Sequence, residues 1–257
     1  MKIAITGKGG VGKTTLSALL SHLYSLDGKK VIAVDADPDA NLAAALGITK
    51  EKLAKIRPIA EIPELIEERT GAKAGTIGGI FKLNPKVDDI PEEFGCRIGG
   101  ITLLIMGKSK TASSGCYCPE NALLKRLLKH LILEREEVVI VDMEAGIEHL
   151  TRGTTEGVDA FIIVVEPGQR SIQTALTVKE LAKGLGVKKV FAAANKIRND
   201  EDLLFVKKSL GDIYFIGAMS FNNEIMEADI KGLPSYMASQ KAIDEVKEIK
   251  KRLEEII

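Results

Sequence analysis

The amino-acid sequence predicts an α/β protein built on a doubly wound, mostly parallel sheet. Three observations carry that expectation. Short apolar runs such as Ile3-Ala4-Ile5 and Val138-Val139-Ile140-Val141 alternate with helix-period segments along the chain, as strand–helix–strand units do. The first run flows into a glycine-rich loop that opens a helix. Several later runs end in Asp, Glu or Asn, and open α/β sheets bind ligands at the carboxyl ends of their strands. The 257 residues suit a single domain over 1–257, and an apolar fraction of 45% supplies a sizeable core.

Taken in order, Lys2 to Thr6 is the first strand. Gly7-Lys8-Gly9-Gly10-Val11-Gly12-Lys13-Thr14-Thr15 follows it and reads G-x-x-x-x-G-K-[ST] between strand and helix. The glycines let the backbone curl with its N–H groups inward, and the helix N-terminus behind adds partial positive charge. Such a loop cradles phosphates. Lys13 reaches the β- and γ-phosphates, and the Thr14 hydroxyl joins a Mg²⁺ shell. Lys8 is either a solvated loop lysine or a second phosphate contact, the phosphate then being one bound by a second subunit. A helix spans 14–27, with Leu16, Leu19, Leu20 and Leu23 on one face and Gly28 ending it. His22, without a titratable neighbour in sequence, reads as a surface or satisfied histidine.

A second strand, 30–34, ends in Asp35-Ala36-Asp37-Pro38-Asp39-Ala40-Asn41. Turn and cap preferences explain Asp39 or Asn41, but the cluster as a whole points to a site. Residues 50–70 read as one or two surface helices broken at Pro58 and Pro63. Residues 71–100 hold seven glycines and scattered apolar residues, an irregular excursion suited to a subunit or partner contact. A strand at 101–106 leads into a loop, 107–119, and a helix at 120–134 with Leu123, Leu124, Leu127, Leu128 and Leu131 facing inward. The strand 137–141 delivers Asp142, where a magnesium-holding aspartate belongs. Further strands at 159–165, 189–194 and 213–216 alternate with helices at 171–184, 200–209 and from 237 onward. Asn195-Lys196 ends one of these strands. Loops at Glu166-Pro167-Gly168 and Phe221-Asn222-Asn223 complete the candidate pocket.

Acidic and basic residues balance at 36 each, which gives no overall electrostatic case for nucleic acid or anionic membrane. No apolar run approaches the about 20 residues that span a bilayer. Met1-Lys2 leads straight into a strand, leaving no room for a signal peptide, so a cytoplasmic protein is expected. The three cysteines do not resemble a disulfide framework. Cys116 and Cys118, one residue apart, read as reduced structural cysteines, a redox pair, or half of a four-thiolate site completed across a two-fold dimer. Tetrahedral Zn²⁺ and square-planar Ni²⁺ both suit four thiolates.

Lys8-Gly9-Gly10-Val11-Gly12-Lys13-Thr14-Thr15 resembles the deviant Walker A signature of the P-loop family that holds the nitrogenase iron protein, the MinD-type septum-site ATPases and the partitioning ATPases. The resemblance implies slow Mg²⁺-dependent hydrolysis of ATP to ADP, with Lys8 acting across a dimer that sandwiches two nucleotides. Asp35-Ala36-Asp37-Pro38 resembles the family's first switch, which implies that Asp37 orients the attacking water and Asp35 supports the magnesium shell. Asp142-Met143-Glu144-Ala145-Gly146 resembles the second switch, with Gly146 bringing an N–H to the γ-phosphate; Glu144 stands where proline is common. Asn195 resembles the adenine-recognising asparagine. The C-x-C pair, together with the run from Asp142 to Gly153, is similar to the CooC-type accessory ATPases that insert nickel into carbon monoxide dehydrogenase, and to their acetyl-CoA synthase relatives. That resemblance implies a homodimeric metallochaperone with Cys116 and Cys118 as metal ligands and carbon monoxide dehydrogenase as client. A nitrogenase-type electron donor needs cysteines after the second switch, and no cysteine follows Asp142. A membrane-binding ATPase needs a basic amphipathic C-terminus. Residues 241–257 mix Lys with Glu and are expected to pack on the domain.

Overall fold

The first strand reads Lys-Ile-Ala-Ile-Thr-Gly, and all six residues are buried. A strand flanked by parallel neighbours and covered on both faces needs such a continuous run. In the computed structural model, which describes residues 1–37, 39–76, 80–107, 118–144, 155 and 157–257, this strand, β1 (Lys2–Gly7), lies inside an eight-stranded sheet. The others are β2 (Val31–Ala36), β3 (Cys96–Ile98), β4 (Ile101–Ile105), β5 (Val138–Met143), β6 (Ala160–Val165), β7 (Val190–Ile197) and β8 (Tyr214–Ser220). Their order is β3-β4-β2-β5-β1-β6-β7-β8. Every neighbouring pair is parallel except β3 and β4, which run antiparallel.

Alternation along the strands divides the core into two layers. Ile3, Ile5, Ala33 and Ile140 face one layer with Leu16, Leu19, Leu20 and Leu23 of α1 (Lys13–Leu26). Ala4, Val34, Val139 and Val141 face the other with Leu123, Leu127, Leu128 and Leu131 of α6 (Pro119–Leu133). Between β2 and β4 come the short helices α2 (Leu42–Ala45) and α3 (Lys50–Leu53), then α4 (Pro63–Thr70) and α5 (Ile90–Phe94). Later come α7 (Gln169–Gly184), α8 (Asp200–Ser209), α9 (Asn223–Lys231), α10 (Ser235–Ala238) and α11 (Gln240–Ile256). In α11 the spacing of Ala242, Val246, Ile249 and Leu253 makes one apolar stripe, and all four are buried. The stripe packs on β8 and α1, the expected fate of this C-terminal segment. Its approach to β8 is close: a Cβ added at Gly217 would meet Ile249 Cγ1 at 2.6 Å. Among the described residues no helix is long and apolar enough to cross a membrane.

The structure departs from the sequence reading at three places. Pro63 does not break a helix but opens α4 at its first turn, where a missing N–H costs no intrahelical bond. Leu65 and Ile66 of that helix are buried in the core while Glu64, Glu67 and Glu68 are exposed, so it is the surface helix expected, with its apolar positions turned inward. Second, the stretch 71–100 is not irregular throughout. Val87 and Ile90 enter the core, and β3 pairs Cys96 with Leu103 and Ile98 with Ile101 across a turn at Gly99-Gly100. Ion pairs from Arg69 to Asp89 (3.1 Å) and from Arg135 to Glu92 (2.5 Å) hold this segment to α4 and to the start of β5. Third, β7 runs on through Asn195 and Lys196 to Ile197, and the segment after β8 contains α9 rather than an extended loop.

Candidate functional site at the carboxyl edge

Gly12 sets the geometry of the loop after β1. It is the N-cap of α1 with φ 96°, a left-handed conformation that costs side-chain-bearing residues strain. A Cβ there would lie 2.0 Å from Asn195 Nδ2. Gly12 brings no side chain to cap the helix, so the first N–H groups of α1 are left to an external anion. Gly9, Gly10 and Val11 form the turn before it, with Val11 N donating to Lys8 O at 3.4 Å.

Lys13, the first residue of α1, is only 7% exposed, and its Nζ lies 3.9 Å from Asp37 Oδ2. Thr14 and Thr15 line the adjoining pocket. The sheet register then brings two carboxylates together, because Asp35 of β2 is the direct partner of Asp142 of β5. Both are fully buried. Burial, and then the Asp142 carboxylate, pushes the Asp35 carboxyl up to about 7. Burial likewise raises Asp142 to about 6, against the nearby Thr14 hydroxyl, the Lys13 ammonium and the Ser17 hydroxyl, which favour its charged form. Asp35 accepts from Leu42 N at 2.9 Å and from Asp37 N at 3.3 Å. Both its oxygens are occupied by backbone, so its described contacts shape the turn that presents Asp37. Asp142 differs. Oδ1 accepts from Ser17 at 3.2 Å, while Oδ2 is buried without a hydrogen-bond partner. An orphaned carboxylate oxygen beside a threonine hydroxyl fits a small hard cation with oxygen ligands, as Mg²⁺ is.

The end of β7 braces the loop. Asn195 Nδ2 donates to Val11 O at 2.8 Å, and its Oδ1 accepts from Lys196 N at 2.8 Å. The described contacts of Asn195 are thus with the loop. Lys196, at φ 58°, donates to Gly10 O at 2.7 Å and to Glu166 Oε2 at 3.0 Å. The other oxygen of Glu166 lies 3.8 Å from Lys8 Nζ. Sequence reasoning placed Glu166 in a loop near the pocket but missed this pairing, because no local pattern links residues so far apart in the chain.

A pocket of about 450 Å³ opens beside the loop, lined by Gly12, Thr15, Asn195, Phe221 and Met226 among others. Asn222 also lines it, but its Oδ1 caps α9 by accepting from Glu224 N at 2.8 Å, and its Nδ2 donates to Ser239 at 2.7 Å. Met226 and Asp229 of α9 were missed. An Asn N-cap with Glu in the first turn, ahead of apolar Ile225, was the available signal.

Cys118 sits at the N-cap of α6 and is 1% exposed. Cys116 and Gly146 lie outside the described residues, as do Pro38, most of the 107–119 loop and His149. Among the described residues no group of three or more His, Cys, Asp or Glu is arranged to hold a metal. Cys96, in β3, is unpaired with any other cysteine. His22 stacks on Tyr236 with ring centroids 4.0 Å apart, and burial lowers its pKa. It is a satisfied histidine.

Comparison with known proteins agrees with this geometry. Residues 2–235 match the CobQ/CobB/MinD/ParA nucleotide binding domain, CbiA. The carbon monoxide dehydrogenase accessory protein CooC of Rhodospirillum rubrum is 49% identical over 92% of this chain and 89% of its own. An uncharacterized ATP-binding protein of Methanocaldococcus jannaschii is 48% identical over 97% of this chain and 96% of its own. The MinD cell division protein of Aquifex aeolicus superposes with a TM-score of 0.67 at 21% identity, covering 99% of this chain and 96% of that one. The chain therefore belongs to the CobQ/CobB/MinD/ParA family of nucleotide-binding P-loop ATPases, and within it is a homologue of CooC.

Proposed function

We propose that this protein is a Mg²⁺-dependent ATPase whose nucleotide-driven dimer carries nickel to carbon monoxide dehydrogenase. The observation that carries the reading is the 49% identity to CooC across nearly the whole of both chains. It coincides with a phosphate loop, a buried lysine and an orphaned aspartate oxygen at one sheet edge.

In this reading the N–H groups of Gly9 to Thr15 and the Lys13 ammonium hold the β- and γ-phosphates. Thr14 and Asp142 hold Mg²⁺, which neutralises charge on the phosphate oxygens. Asp37, turned toward the site by its backbone bond to Asp35, orients a water molecule. The water oxygen attacks the γ-phosphorus, and the bond to the β–γ bridging oxygen breaks to leave ADP and phosphate. Lys8 serves the phosphates of the opposite subunit, and Gly146 contributes a backbone N–H. The base lies against Asn195 and Lys196 in the pocket beside α9. Cys116 and Cys118 supply two thiolates per chain and four per dimer, matching Ni²⁺ or Zn²⁺. Nucleic acid and membrane have no part in it.

Equilibrium dialysis against Ni²⁺, with and without Mg-ATP, tests the payload. One ion per two chains is expected, lost in a Cys116→Ser/Cys118→Ser protein. Tight nickel binding that survives the double substitution would refute the cysteine assignment. A hydrolysis-impaired Asp37→Ala protein that stays monomeric with ATP would refute the nucleotide sandwich.

A further inference from the structure

The phosphate loop carries two lysines, and each has a carboxylate partner within the chain. Lys13 faces Asp37 at 3.9 Å, and Lys8 faces Glu166 at 3.8 Å. The second pairing is the unexplained one. Glu166 follows the last residue of β6, at the carboxyl edge where the phosphate loop also begins. Its two oxygens are divided between two lysines: Oε1 toward Lys8, and Oε2 to Lys196 at 3.0 Å. Its backbone is fixed as well, since Glu166 N donates to Ser171 Oγ at 3.0 Å at the start of α7. Lys196 in turn grips the loop through Gly10 O at 2.7 Å. One carboxylate thus ties the tip of the phosphate loop to the ends of β6 and β7.

We propose that Glu166 is a latch, which holds Lys8 inside its own subunit until the phosphate chain bound by a second subunit competes for that lysine. The proposal rests on the dimeric reading above and adds to it a residue that acts on dimerisation through Lys8. Strength and exposure suit a latch. Lys8 and Glu166 keep 39% and 25% of their side-chain surface in solvent, and ion pairs of that exposure are weak and salt-screened. A single carboxylate in water loses to a triphosphate, which offers several negative charges and many more acceptor oxygens. Lys196, anchored at Gly10 O, keeps Glu166 in place while Lys8 leaves. The latch therefore sets a threshold: Lys8 is withheld from solution anions yet available to a phosphate chain delivered at the subunit boundary.

The experiment uses Glu166→Gln, alone and combined with Lys8→Met, in the full chain. Trace acetylation read by peptide mass spectrometry reports on Lys8 directly, without any dimer. Lys8 should label about two- to fivefold faster in E166Q, the range set by a weak exposed ion pair, while Lys250 is unchanged. The ATP concentration for half-maximal dimer, followed by light scattering, should fall by a similar factor. That gain should vanish in the Lys8→Met background, which separates a latch from a general change of charge near the site. Unchanged Lys8 labelling in E166Q overturns the latch. So does an E166Q gain in dimerisation that persists without Lys8. If E166Q exposes Lys8 yet wild type and variant both stay monomeric with ATP, the dimeric reading fails and the proposed threshold fails with it, leaving only the intrachain ion pair. Melting temperatures identify a variant that merely misfolds, and Glu166→Asp, which keeps the charge, should restore slow labelling in part.

Discussion

Gly12 shows how much a single residue can be asked to do. Its left-handed φ of 96° starts α1, and its missing side chain lets Asn195 brace the loop. Gly12→Ala is expected to strain the backbone by about 1–3 kcal/mol and to push Asn195 off Val11 O. Mg-ATP binding measured by calorimetry should weaken at least tenfold. Asn195→Ala should weaken it less, since one neutral hydrogen bond contributes about 0.5–1.5 kcal/mol. The buried Asp35 makes a prediction about pH. Its carboxyl, at 3.8 before burial, is held at about 7, so the folded chain binds this proton more tightly than the unfolded chain does. The associated stability is complete below 3.8 and is lost as pH rises through about 7. Urea midpoints measured in chelator-containing buffer should decline from pH 5 to pH 8, and Asp35→Asn should reduce that decline to the part that Asp142, also raised by burial, contributes.

Among the elements, α11 and α6 carry the clearest instructions. The four-residue stripe of α11 and the five leucines of α6 are spaced for one buried face, and that face is buried in each. Ile249→Ala should cost about 2–5 kcal/mol, the range for truncating a large core aliphatic, visible as a lower unfolding midpoint. Charged substitutions on the exposed side of α11, such as Lys251→Glu, should change little. These long periodic helices and the apolar parallel strands were legible because period and burial coincide in them. β3 was not, because Cys96–Ile98 is too short to show alternation; only Gly99-Gly100 between Ile98 and Ile101 hinted at a hairpin. α9 was hidden for a different reason. It is only nine residues long, and although it carries Ile225, Met226, Ala228 and Ile230, only Ala228 is buried, so its apolar positions do not mark a core face. The site divides in the same way. Lys13, Thr14 and Asp142 sit in local motifs, whereas the division of Glu166 between Lys8 and Lys196 exists only once β6, β7 and the loop are side by side.

At the scale of the whole molecule, the register that aligns Asp35 with Asp142 concentrates charge at one edge of a sheet that is otherwise apolar on both faces. Filling that edge should therefore stabilise the entire domain, not the loop alone. Mg-ATP at 100 times its dissociation constant should add about 2.7 kcal/mol of stability, read as a rise in melting temperature, and Asp142→Asn should abolish most of the magnesium-dependent part. The other end of the sheet has a separate consequence. β3 is three residues long, antiparallel and carries the exposed Arg97. A short, charged margin of this kind is a poor template for a foreign strand. It disfavours edge-to-edge growth of a sheet rich in parallel β-structure, so on this side a second copy gains little by pairing its strands with this one.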